Sequence, residues 1–248
     1  MPFTLAQTEI GHHWSTAEYS LLNTGGGEGV QIIENVWEED RPYAQFTHKI
    51  LHMSMKIPRW IKAHVPSGFL ELDERSTNRF PEVVTVITNP DYMQDRFFIR
   101  ITSKYMENDD CTQDNIFQPS DIKYTDKFNA RKVVNIDIVN DVVSANEYSE
   151  ESDPKKCRSE KLNLGPLTSD WKSTERRSCI YKLVETEFTW FDLQDRVEVT
   201  IDKELRRLFQ LFHRHMFCWA DKWAGMTMDE ILAFEEDMKT RLNEARTK

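Results

Sequence analysis

Three kinds of residue in this sequence could carry chemistry: histidines, a glycine run, and polar side chains set into apolar patterns. His48 and His52 lie four apart in "AQFTHKILHM" (44–53), whose period-2 alternation marks a strand. A strand separates such residues by about 13 Å, too far to share one metal ion. His213 and His215 are two apart on a helical stretch and face different ways. His12 and His13 lack an obvious third ligand. "TGGGEG" (24–29) resembles a phosphate-cradling loop but lacks the Lys-[Ser/Thr] of a P-loop and the spacing of a dinucleotide site, so it reads as a turn. There is no nucleophile elbow, zinc-protease or kinase signature. These residues specify no enzyme, no metal and no cofactor.

Two polar placements are less ordinary. Thr47 and Lys49 share a strand face with Leu51 and Met53, while Phe46, His48, Ile50 and His52 take the other face. If the first face is interior, the ammonium needs an anionic partner, because an unpaired buried charge is costly. Glu235 lies one turn beyond Ile231 and one before Met238, so it interrupts an apolar helical stripe of Ile231, Phe234, Met238 and Leu242. Together these imply a polar pocket in apolar surroundings. A third oddity is the pair Trp190 and Phe191 in "EFTWFDLQ" (187–194), at the junction of a strand pattern and a helix pattern. Neighbouring residues in a tight connection cannot both point into one core.

The elements that must position these residues follow from periodicity. Strands are expected at 44–53, 83–89, 95–105, 131–141 and 178–190, with a short helix over 57–66 that has Pro58 near its start. Residues 144–176 are polar, with Pro154, Gly165 and Pro166, and read as a long mobile surface loop. A helix is expected over 193–223, with Val197, Ile201, Leu205, Leu208, Phe212, Met216, Trp219 and Trp223 on one side and Asp192 as its cap. A second is expected over 227–245, opened by a capping box of Thr227 and Glu230. Strands followed by long helices make an α+β fold with a largely antiparallel sheet, in one domain over 1–248.

Composition narrows the function further. The chain has 248 residues, 39% of them hydrophobic, and a net charge of −10 from 32 basic and 42 acidic residues. That balance is opposite to that of a dedicated nucleic-acid binder, although "KELRRLFQLFHRH" (203–215) is locally basic. The four cysteines form no C-x-x-C pair, so reduced thiols are expected. No signal peptide and no apolar run near the roughly 18 residues of a spanning helix is seen, which points to the cytoplasm.

Several collinear segments resemble one family: "NTGGGEGV" (23–30), "QFTHKI" (45–50), "VITN" (86–89), "YKLV" (181–184), "RRLFQLFHRHMFCWADKW" (206–223) and "MTMDEI" (226–231). They are similar to the phosphatidylinositol transfer proteins over about residues 1–247. The resemblance implies a START-like helix-grip fold in which a concave sheet and long helices enclose one phospholipid. It implies exchange of phosphatidylinositol and phosphatidylcholine between membranes, with no bond change and no cofactor, by a protein that is monomeric when loaded. Exchange of phosphatidylinositol for phosphatidic acid, or lipid sensing without net transfer, are the alternatives.

By the same resemblance, the inositol contacts fall on Thr47, Lys49, Asn78 and Glu235, and the phosphate contacts on His12, Thr85, Ser103 and Lys182. Trp190 and Phe191 take the place of a membrane-docking aromatic pair, whose insertion is worth about 3–6 kcal/mol. The helix at 227–245 becomes a lid, and Ser159 lies where members carry a phosphorylatable serine. The chain departs from the family in having His12 for a glutamine, Val83 for a reactive cysteine, and no strand ahead of "MPFTLAQ". An enclosed site answers a physical need, since exposing the roughly thirty CH₂ groups of two acyl chains to water costs on the order of 25 kcal/mol.

Overall fold

Six strands pair in strict sequence order, β1-β2-β3-β4-β5-β6, into an open antiparallel sheet. They are β1 (Gly29–Trp37), β2 (Gln45–His52), β3 (Glu71–Arg79), β4 (Glu82–Thr88), β5 (Phe97–Glu107) and β6 (Ser178–Phe188). Five helices accompany them among the described residues: α1 (Leu5–Leu22), α2 (Arg59–Lys62), α3 (Gln194–Cys218), α4 (Ala220–Trp223) and α5 (Met228–Thr247). The structure is a computed structural model that describes residues 1–38, 44–53, 59–62, 67–125, 128–173, 177–190 and 193–247. Phe191, Asp192, Pro58 and the outer parts of the helix expected over 57–66 lie outside these residues.

The chain forms two compact units. The first comprises Met1–Tyr19, Tyr105–Tyr181 and Asp202–Phe234; the second comprises Ser20–Lys104, Lys182–Ile201 and Glu235–Lys248. The first unit is built on an aromatic core of Phe3, Trp14, Trp171, Phe217 and Trp223 with Met216 and Ile231. Helix α1, which the periodicity did not reveal, enters it through Thr8, Gly11, His13, Trp14 and Ser15. Thr4 and Gln7 close its first turn reciprocally, at 3.0 and 3.2 Å. A Cβ on Gly11 would stand 2.8 Å from Met216 Cε and 3.0 Å from the Trp223 ring, so glycine is what lets these side chains approach.

Several expectations are corrected in this unit. Residues 131–141 are no strand. The Asp137 carboxylate accepts from the amides of Val139 and Asn140 and from the Trp171 indole, and it pairs with Lys172 at 2.8 Å. Burial opposes its ionisation, but these donors outweigh it and hold the acid below the usual carboxylate range. Arg214 takes the carbonyl of Ile138 at 2.7 Å. Side chains thus claim the backbone groups that a strand ladder would need.

Within the segment expected as a mobile loop, residues 144–173 carry tertiary contacts. Asp153 meets buried Arg214 at 3.1 Å, and Ser152, Ser159, Leu167 and Trp171 are buried. The helix expected over 193–223 breaks at Trp219. There the indole of Trp223 takes the Met216 carbonyl at 3.1 Å, one of the acceptors that a helix end leaves open. Leu208, expected on its apolar side, is 39% exposed.

The cysteines are paired rather than reduced: Cys111 with Cys179 and Cys157 with Cys218, at Cα separations of 5.5 and 5.2 Å. The residues of each pair lie 68 and 61 apart in sequence, which hid the pairing. The second bridge ties the 144–173 segment to the end of α3. Replacing Cys157 and Cys218 by serine should lower stability by about 2–4 kcal/mol in urea unfolding. Four titratable thiols in protein purified without reductant would remove both bridges.

Candidate functional site

Register places the polar residues of the second unit in rows across one sheet face, because antiparallel partners present their side chains to the same side. One row runs Trp37, Gln45, Asn78, Val83, Ser103. The next runs Asn35, Thr47, Ser76, Thr85, Ile101, and the third Ile32, Lys49, Glu74, Ile87, Ile99. Thr47, Lys49, Asn78, Thr85 and Ser103 therefore share a face, interleaved with Val83, Ile87, Ile99 and Ile101. A bulge between Ile32 and Glu34 brings Asn35 into register with Thr47.

The partner anticipated for Lys49 is Glu74, its register neighbour, at 3.2 Å. Both side chains are largely withdrawn from solvent, at 14% and 17% exposure. Ser76 and Thr85 share a hydrogen bond at 3.0 Å. On the opposite face His48 meets Asp73 at 2.6 Å and Arg75 pairs with the same carboxylate at 3.0 Å.

Glu235 reaches this region from α5. Its Oε2 accepts from Gln45 Nε2 at 2.5 Å and Asn35 Nδ2 at 3.2 Å, and Gln45 also donates to Asn35 Oδ1 at 2.8 Å. The expected capping box starts this helix: Thr227 N donates to Glu230 Oε2 at 2.8 Å, and Glu230 N to Thr227 Oγ1 at 3.3 Å. Ile231, Met238 and Leu242 are fully buried, and Glu235 is only 9% exposed. The stripe that it interrupts is an inward one. Glu74, Gln45 and Asn35 were missed from sequence, although Gln45 lies two residues before Thr47 on the same alternating face.

A second cluster adjoins the first on β5 and β6. Lys182 Nζ donates to Ser103 Oγ at 2.9 Å. Burial lowers its pKa from 10.5 to about 8. Thr85 on β4 lies between the two clusters, two strands or about 10 Å from Thr47 on β2.

Three further predicted residues have the following surroundings. His12 belongs to the first unit, where its ring lies 3.2 Å from the Tyr105 hydroxyl. Trp190 is half-buried, edge-on to Phe69 at 6.1 Å between centroids. Ser159 is buried and donates to Asp221 Oδ1 at 2.5 Å, while the amides of Glu160 and Lys161 donate to the same carboxylate. The Ser159 bond, then these amides, hold the Asp221 acid below its usual range.

Ammonium groups, hydroxyls, amides and two carboxylates thus stand among apolar side chains in this region. The chain belongs to the phosphatidylinositol transfer protein family, whose profile matches residues 1–240. It is 38% identical to phosphatidylinositol transfer protein 1 of Dictyostelium discoideum, over 98% of this chain and 93% of that one. It is 35% identical to the human beta isoform of phosphatidylinositol transfer protein, over 99% and 92% of the two chains. The cytoplasmic phosphatidylinositol transfer protein 1 of Drosophila melanogaster is 35% identical, over 98% and 88%. Among the described residues, no helix is long and apolar enough to cross a membrane.

The lowered pKa of Lys182 has a measurable sign. Its folded value, about 8, lies below the ordinary 10.5, so the unfolded chain holds more protons between them. Its contribution to stability therefore rises as pH climbs from about 8 to 10.5. Urea unfolding of Lys182→Met should show a flatter slope in that window and greater stability below it. A slope equal to that of the wild type would mean that the ammonium is well solvated.

Proposed function

We propose that this protein binds one phospholipid at a time and carries phosphatidylinositol between membranes, returning with phosphatidylcholine. The observation that carries the reading is the single sheet face bearing Thr47, Lys49, Asn78, Thr85 and Ser103, with Glu235 and Lys182 brought to it. The names of its relatives support phosphatidylinositol as a cargo.

In this reading Thr85, Ser103 and Lys182 hold the phosphodiester, and the lysine supplies the positive charge that a buried phosphate needs. The ring hydroxyls of inositol are matched by groups of complementary kinds: Glu235 accepts, Lys49 donates, and Thr47 and Asn78 do either. His12 joins the phosphate ligands on the strength of the resemblance alone. The fold is a START-like helix grip used as one transfer domain over 1–248, with α5 as the lid. The protein works as a cytoplasmic monomer, without cofactor or bond-breaking chemistry.

Membrane contact is assigned to Trp190 and Phe191. Trp190 is held edge-on by Phe69, which keeps part of its ring at the surface. Ser159 is a poor acceptor of phosphate in the folded loop. Its hydroxyl is spent on Asp221, and a phosphate there would face that carboxylate.

Vesicle transfer tests the reading. Wild-type protein should move labelled phosphatidylinositol between vesicles, and Lys49→Ala should lose that transfer more than it loses phosphatidylcholine transfer. Equal losses would refute the headgroup assignment. The double change Trp190→Ala and Phe191→Ala should slow transfer of both lipids by about a hundredfold or more while the fold persists. Transfer at the wild-type rate would place the docking surface elsewhere.

A further inference from the structure

Gln45 is 5% exposed and spends both amide hydrogens on two acceptors, Glu235 Oε2 and Asn35 Oδ1. Asn35 closes the triangle by donating to the same Oε2. The opposite orientation of the Gln45 amide would turn its carbonyl toward a carboxylate, so the arrangement has one sense. In strand register Gln45 faces Asn78 and Asn35 faces Thr47. The two amides therefore neighbour two proposed inositol contacts and hydrogen-bond a third.

We propose that Gln45 and Asn35 are positioning residues that set the preference for a polyhydroxylated headgroup by fixing the carboxylate of Glu235. The inference rests on the headgroup reading given above. Two neutral amides orient a carboxylate without adding a positive charge, so it remains a strong acceptor for hydroxyl donors. A choline headgroup has no hydroxyl to donate and gains nothing from that acceptor. Loosening the carboxylate therefore costs the inositol lipid selectively.

The full chain is loaded from vesicles of equal phosphatidylinositol and phosphatidylcholine, and native mass spectrometry counts each bound lipid. Gln45→Met and Asn35→Leu should each lower the ratio of bound phosphatidylinositol to phosphatidylcholine about tenfold, with the protein still folded at the loading temperature. Gln45→Met in a Glu235→Gln background should lower the ratio no further than Glu235→Gln alone, since the amides act through that carboxylate.

Wild-type ratios in Gln45→Met and Asn35→Leu, with the ratio lost in Lys49→Ala and Glu235→Gln, would overturn the positioning role and leave the headgroup reading intact. Ratios unchanged in Lys49→Ala and Glu235→Gln would overturn the headgroup reading itself. If Gln45→Met does not fold, Asn35→Leu on the edge strand decides. Equal loss of both lipids together with a lowered thermal midpoint would make the amides merely structural and end the proposal.

Discussion

An ammonium withdrawn from water costs several kcal/mol unless an anion and hydrogen bonds replace the solvent, and Lys49 meets that requirement through Glu74 at 3.2 Å. The pairing is a consequence of register: β2 and β3 align so that the two residues face each other across neighbouring strands. This is what permits a cation on a sheet face that also bears Val83, Ile87, Ile99 and Ile101. The same constraint governs Glu235, whose carboxylate is met by Gln45 and Asn35 rather than left bare. The headgroup site proposed here needs each charge to have a local partner before any ligand arrives.

Backbone pairing then fixes the spacing of the site better than side-chain packing could. Rows two residues apart on adjacent strands repeat at set intervals, so Thr47, Ser76 and Thr85 form a line that no single side-chain change can shift. Glu235 is the exception, since it comes from a helix. Its height depends on where α5 begins, and the Thr227–Glu230 box settles that by closing the first turn. The Gln45–Asn35 amides supply the lateral half of the same positioning.

Local pattern made much of this readable in the sequence. Alternation placed Thr47 and Lys49 on one face, and the interrupted stripe marked Glu235 as a polar residue facing inward. What remained hidden was non-local or atypical. Strand β3 reads "ELDERSTNR", with charge on both faces, because its neighbours satisfy it through contacts such as the His48–Asp73 hydrogen bond and the Lys49–Glu74 ion pair. Helix α1 carries buried His13, Ser15 and Thr8 in place of a clean apolar stripe, and only its "TLAQ" box announced it. The run 131–141 had strand composition, but the carboxylate of Asp137 and the guanidinium of Arg214 captured its backbone. The pairing of cysteines 61 and 68 residues apart is a tertiary fact that spacing alone does not encode.

In the proposed reading the two clusters on the sheet divide affinity from selectivity. Every phospholipid carries a phosphodiester, so a site built on Lys182, Ser103 and Thr85 favours all of them alike. Coulombic attraction in a poorly solvated place makes that contribution large and indifferent to the headgroup. Discrimination must then come from groups that see only what lies beyond the phosphate. A carboxylate aimed at hydroxyls suits that task, because a headgroup lacking them leaves a buried acceptor without a donor, and that penalty is larger than the gain from one extra contact. On this proposal, selectivity for inositol is written less in the lysines than in how firmly two neutral amides hold one glutamate.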